Sequence, residues 1–153
     1  VDKMRQRIPG LVLSTDIIVG FPTETEEEFQ DTVDVMNKVE FDAAFTFKYS
    51  ERKGTIASKK FPDDISEDVK SERVTKLVQL QKDIVYKKNK AHIGEIHTLL
   101  IEPASNPRPS HEFIGRTDGN KVVVLPEGAY FQGQLLKVKI IDATPHVLKC
   151  EVL

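Results

Sequence analysis

The chain holds one cysteine, Cys150, and no tryptophan among its 153 residues. A single thiol excludes a disulfide framework and fits a reducing compartment. It also means that this stretch alone cannot hold an iron–sulfur cluster, which takes several thiolates. No apolar run approaches the roughly 20 residues that span a bilayer, and residues 1–10 are charged where a secretion signal would be apolar. The expectation is a cytoplasmic protein with no membrane partner. Charge of one sign is not in excess either. The formal net charge is −2, so contact with nucleic acid has to rest on local patches. The four histidines (His92, His97, His111, His146) show no metal-ligand spacing. No Ser/His/Asp or Cys/His set for nucleophilic catalysis stands out.

What is present is a strong local pattern at residues 14–29, STDIIVGFPTETEEEF. The nearly continuous apolar run over residues 11–21 reads as a buried strand. Pro22 ends it. Thr23 with Glu26, or Thr25 with Glu28, has the spacing of a capping box, and the acidic residues 24 and 26–28 suit a helix N-terminus. Phe29, Val33 and Met36 share one helical face. Residues 43–49 form a second strand in which Ala44, Thr46 and Lys48 alternate with Phe45, Phe47 and Tyr49. Strand, helix, strand in this order implies a parallel pair with a right-handed crossover. Ligands in parallel α/β folds sit beyond the C-terminal ends of the strands. That places Gly20 on a candidate ligand edge, where a missing side chain admits close approach. Thr15 and Asp16 are polar residues in an apolar strand and need partners. Tyr49 and Ser50 end the second strand on the same edge.

Residues 50–61 read as a polar loop. A helix without Gly or Pro follows over about residues 66–90, with Val69, Leu77, Leu80 and Ile84 as its apolar stripe. Its lysine-rich end complements the helix dipole and places Lys87 and Lys88 where phosphates could be met. From residue 93 onward five short β-type runs (96–101, 113–117, 121–125, 134–141, 147–152) alternate with turn residues such as Asn106-Pro107 and Asp118-Gly119-Asn120. They imply a small antiparallel barrel, with the boundary near residues 91–94. In the barrel, Arg108, His111, Arg116, Lys121, Lys137, Lys139 and Lys149 stand among seven acidic residues. Phe113, Tyr130 and Phe131 are aromatic candidates for base stacking. Cys150 in the last run reads as a small buried apolar residue.

Taken together, STDIIVGFPTETEEEF, FDAAFTFKYSERKGT, the long helix, IGEIHTLLIE and GRTDGNKVVVLPEG resemble the C-terminal part of the MiaB-type methylthiotransferases, radical S-adenosylmethionine (SAM) enzymes that modify tRNA. The resemblance implies that residues 1–91 are the end of a radical-SAM partial TIM-like barrel with a connecting helix. Residues 92–153 are then an OB-like TRAM barrel that binds RNA. It further implies SAM contacts from Thr15, Asp16, Ile18, Gly20, Tyr49 and Ser50, and RNA contacts from Lys87, Lys88, Arg116 and Lys121. The whole enzyme would use two 4Fe–4S clusters and add a methylthio group to C2 of N6-isopentenyladenosine in the tRNA anticodon loop. The cluster-binding cysteine triplets of that family are absent from these residues, so the remaining polypeptide, upstream, would supply them. The pattern also departs at Glu24, one place late for the general radical-SAM motif, so no ligand role falls to it. The alternatives are a sister methylthiotransferase acting on threonylcarbamoyladenosine tRNA or a ribosomal protein, and a non-catalytic TRAM-type RNA-binding module. This 153-residue chain should therefore yield no 5′-deoxyadenosine when incubated anaerobically with SAM, iron, sulfide and reductant; its formation would overturn the reading.

Overall fold

Val19 and Lys48 are register partners at the ends of two short parallel strands, β1 (Ser14–Val19) and β2 (Ala43–Lys48), and this pair organises the first of two units. The structure is a computed structural model that describes residues 1–108 and 111–153, and side chains outside residues 106–112. It divides into a unit of residues 12–84 with Val1, and a unit of residues 85–153 with residues 2–11. The latter include a short helix, α1 (Asp2–Arg7).

In the first unit, β1 is shorter than the apolar run and is not buried on both sides. Thr15, Ile17 and Val19 face helices, whereas Ser14, Asp16 and Ile18 are exposed. The same alternation holds in β2, where Phe45 and Phe47 are exposed. Helix α2 (Glu26–Val39) takes the second of the two capping options: the Thr25 side chain accepts from Glu28 N, and Glu28 accepts from Thr25 N. Its Phe29, Val33 and Met36 pack with Val19 and with Leu77 of α4 (Glu67–Ala91). The polar loop contains a further helix, α3 (Ile56–Lys60), because Thr55 caps it by accepting from Ser58 N at 3.2 Å.

The inward face of α4 differs from its apolar stripe. Val69 is exposed, while Lys70 and Arg73 are buried with Leu77, Gln81 and Ile84. Hydrophobic periodicity misses these polar members because each is buried with a partner. Lys70 Nζ lies 2.6 Å from Asp63 and 3.4 Å from Glu67. Burial pulls the Lys70 ammonium down, but hydrogen bonding and charge from Asp63, then Glu67, leave its pKa raised. Arg73 meets the Glu24 carboxylate at 2.5 Å and its carbonyl at 3.2 Å. Gln81 donates to the Phe41 carbonyl at 2.8 Å.

The second unit is a closed five-stranded barrel in the order β3-β4-β5-β7-β6. Its strands are β3 (Ile96–Arg108), β4 (His111–Arg116), β5 (Val122–Val124), β6 (Leu135–Ala143) and β7 (Leu148–Val152). The barrel is not wholly antiparallel: β5 and β7 run parallel, which closes it. Strand β3 continues through Asn106 and Pro107, where a turn was expected, with a register irregularity between Pro103 and Arg108. The core holds Leu99, Ile101, Val123, Leu125, Val138, Ile140, Ala143, Leu148 and Cys150. Among the described residues no helix is long and apolar enough to cross a membrane.

Gly20 sits at φ +72°, and a Cβ there would clash with Lys70 Cγ. Gly20→Ala should destabilise the first unit by about 2 kcal/mol or more, from left-handed strain plus overpacking, read as a lower urea midpoint. Burial raises the Cys150 thiol to about 11. The native chain should therefore react with Ellman's reagent far more slowly than the urea-unfolded chain at pH 8.

Candidate functional site

The open face of the β1–β2 pair borders a concavity of about 630 Å³ lined by Asp16, Ile18, Phe47, Lys48, Tyr49, Ser50, Arg52, Thr55 and Ala57. Strand alternation builds it. Asp16 and Ile18 point to one side of β1, and Phe45 and Phe47 to the same side of β2. Tyr49 extends the pairing by donating its N–H to the Val19 carbonyl at 2.8 Å. Its ring meets Phe21 edge-on with centroids 5.1 Å apart. Asp16 needs no buried partner, because its carboxylate stands exposed at this concavity. The surface thus combines an aromatic wall, one carboxylate, a hydroxyl pair and a guanidinium.

Of the six residues expected to meet SAM, four come together here: Asp16, Ile18, Tyr49 and Ser50. Thr15 does not join them. It is one residue out of phase and lines the α2 side of the sheet with Ile17, Met36 and Phe41. Gly20 is also set apart from the lining residues, and the side chain that its missing Cβ admits is Lys70. The turn after β1 is closed from within: Gly20 N–H donates to Glu24 Oε2 at 2.6 Å, and the same oxygen takes Arg73. Glu24 is therefore spent on holding the turn, and the glycine is required by packing. Arg52, from the polar segment after the second strand, belongs to the concavity, as does Phe47, which was not among the candidates. For Phe47 the signal was present, since it lies two residues before Tyr49 on the same strand face.

In the barrel unit, Arg116 and Lys121 are engaged internally. Arg116 pairs with Glu102 at 2.8 Å and reaches the Asn120 carbonyl and side chain at 3.3 and 3.0 Å. Lys121 donates to Asn89 Oδ1 at 2.8 Å, and Asn89 in turn donates to the Thr144 carbonyl at 2.9 Å. Lys87 is exposed and Lys88 half-buried on the last turns of α4. Phe113 and Tyr130 pack against the core, but Phe131 is 65% exposed. The side chains of Arg108 and His111 lie outside the described residues. One outer face combines cations and apolar groups: Thr98 and Leu100 of β3 pair with Lys137 and Leu135 of β6, with Ile96 opposite Lys139. Leu135 is 70% exposed there.

A third cluster brings together two of the histidines that showed no metal-ligand spacing in the sequence. His92 Nδ1 and His97 Nε2 lie 2.7 and 3.0 Å from one oxygen of Glu95. The His92 hydrogen bond, followed by that of His97, holds the Glu95 carboxyl below its usual range against the cost of burial. Counting the carboxylate along with the histidines would have exposed the pattern, because Glu95 and His97 are i, i+2 neighbours at a strand start.

The family model described as TRAM domain matches residues 90–153. The chain is 44% identical over 146 residues to a tRNA-2-methylthio-N(6)-dimethylallyladenosine synthase of Methylacidiphilum infernorum, covering 95% of this chain and 31% of that protein. Identity is 45% over 153 residues to the Caldicellulosiruptor saccharolyticus protein of that name, with 100% and 32% covered. It is 43% over 152 residues to the one from Finegoldia magna, with 99% and 32% covered. The chain thus spans about a third of the length of these curated relatives. Along its whole length, and with a TRAM domain matched at residues 90–153, the chain is similar to about a third of the length of proteins that carry the name tRNA-2-methylthio-N(6)-dimethylallyladenosine synthase.

Proposed function

We propose that the chain is the SAM-wall and tRNA-holding portion of a tRNA methylthiotransferase. The parent enzyme would convert the C2–H of N6-isopentenyladenosine into C2–SCH3 within tRNA. The observation that carries the reading is the concavity at the ends of two parallel strands, where Asp16, Ile18, Tyr49 and Ser50 converge in a chain similar throughout to proteins named for that modification. In this reading the first unit is the end of a radical-SAM partial TIM-like barrel, and cytoplasmic tRNA is the partner.

The concavity fits the adenine and ribose end of SAM. Phe47 and Tyr49 offer flat apolar faces to a purine. The Asp16 carboxylate accepts from ribose hydroxyls or from an ammonium, and Ser50 can donate or accept beside it. Thr15 and Gly20 act through the strand and its turn. The chain does not fit a cluster: Cys150, the one thiol, is buried in the barrel core. No step of the radical chemistry is therefore assigned to these residues. What they do is bind and orient the cofactor's nucleoside and exclude water from one of its faces.

For tRNA, the outer β3–β6 face with Lys137, Lys139, Leu100 and Leu135 supplements the expected Lys87 and Lys88. Lys137 is exposed, and Lys139 makes a surface pair at 3.8 Å with Glu151, an arrangement of small energetic consequence. Arg116 and Lys121 act by holding the barrel and its helix in shape.

In the full-length enzyme, Asp16→Asn and Tyr49→Ala should raise the SAM dissociation constant about tenfold, the equivalent of one good polar or stacking contact, with tRNA affinity unchanged. Lys137→Ala with Lys139→Ala should do the reverse. That pair should also make the dependence of log affinity on log salt shallower, by about 1 in slope for each phosphate no longer neutralised. Unchanged SAM binding in the first pair would sink the cofactor assignment. Unchanged tRNA binding in the second would place RNA on another face.

A further inference from the structure

We propose that His92, Glu95 and His97 form a binding site, within the barrel unit, for one divalent transition-metal ion of the zinc class. One ligand atom from each residue lies within 4.8 Å of the other two. The two His–Glu distances are 2.7 and 3.0 Å, and the imidazole centroids are 5.2 Å apart. Zinc binds nitrogen and carboxylate oxygen at about 2.0–2.2 Å, which makes donor–donor edges of about 3.3 Å in a tetrahedron. The two His–Glu edges lie a few tenths of an ångström short of that size, and the third, between the two imidazole nitrogens, is no longer than 4.8 Å.

The donor set is what zinc prefers when one position is left for water: two imidazoles and a carboxylate. The side chains of His92 and His97 are 27% and 19% exposed, and that of Glu95 52%, so an ion and a water molecule can enter. The backbone holds the donors in place. His92 follows α4, and Gly94 at φ +92° reverses the chain. Gly94 N–H then donates to the Ile140 carbonyl at 2.8 Å, and Ile140 N–H to the Glu95 carbonyl at 3.0 Å. These bonds seat residues 94 and 95 beside β6, and strand alternation brings His97 to the side of Glu95. Without metal, two ring N–H groups point at one carboxylate oxygen. With metal, both protons sit on the opposite ring nitrogens and the cation takes the centre of the triangle, so neutral imidazoles bind by changing tautomer. The ion would lock the connection between α4 and β3 within the barrel unit.

The chain suits a direct test, because its one thiol is buried and offers no competing site. The 153-residue protein is titrated with Co²⁺ in chelator-free buffer. One equivalent should bind with the visible absorption of a four-coordinate site and be displaced by Zn²⁺. Glu95→Gln and His97→Ala should each weaken binding about tenfold or more, whereas His146→Ala should not. Since a variant could fail to fold, ring resonances of the wild-type histidines are followed by NMR during addition of one equivalent of Zn²⁺. Shifts at His92 and His97 with none at His146 support the site. Equal affinity in all variants, or equal perturbation of His146, overturns it.

Discussion

The first unit depends on two buried cations on one helix. Lys70 and Arg73 occupy positions on α4 where an apolar stripe would ordinarily run, and each reaches a carboxylate from a loop: Asp63 before the helix, Glu24 after β1. Removing one partner from such a pair leaves an uncompensated charge and costs about 3–5 kcal/mol, whereas the intact pair adds little net stability over a well-packed apolar pair. What the pairs contribute is placement. Glu24 Oε2 joins the Gly20 amide to Arg73, so the turn at the end of β1, the start of α2 and the middle of α4 share one atom. Lys70 fills the space that Gly20 leaves and lies 5.6 Å from the centre of the Tyr49 ring. The same helix face thereby fixes the two strand ends that border the concavity.

This coupling explains which parts of the molecule were legible in the sequence. The strand–helix–strand order, the capping box and the buried face of α2 follow from local rules, because Thr25, Glu28, Phe29, Val33 and Met36 obey short-range spacing. The five barrel strands were legible too, as short β-type runs separated by turn residues. The inward face of α4 was not, because its determinants are partners 7 and 49 residues away in sequence. The packing at Gly20 was hidden for the same reason: a glycine looks identical whether a cofactor or a lysine stem fills its missing side chain, and here the Lys70 stem does. Thr15 and Asp16 are adjacent in sequence yet on opposite sheet faces, so period two decides which of them meets the concavity. The parallel β5–β7 pairing depends on chain closure, which alternation cannot report.

In the barrel unit the charged residues divide by what they touch. Arg116 is drawn into an ion pair and two bonds to Asn120, and Lys121 is tied to Asn89, itself buried. These bonds hold both side chains to the unit's own polar groups, whereas other cations keep their heads in water. Lys137 and Lys139 meet that condition on a strand pair whose outward positions also carry Leu100, Leu135 and Ile96. A surface of this composition matches single-stranded nucleic acid, in which phosphates and unstacked bases are offered together.

The open sheet face of the first unit poses the opposite problem. Parallel strands normally have both faces covered, and the described residues cover one of these with α2 and α4. The other shows Ile18 at 60%, Phe45 at 58% and Phe47 at 52% exposure. Desolvating these side chains is favourable by roughly 25 cal/mol for each Å² removed from water. The apolar area that most needs an occupant is thus continuous with the carboxylate and hydroxyl groups at the strand ends. A planar, amphipathic ligand whose one face is aromatic and whose edge carries hydroxyls satisfies both requirements at once, and a nucleoside is a molecule of that kind. The polar rim sets its orientation, while the exposed aromatic wall supplies the driving force.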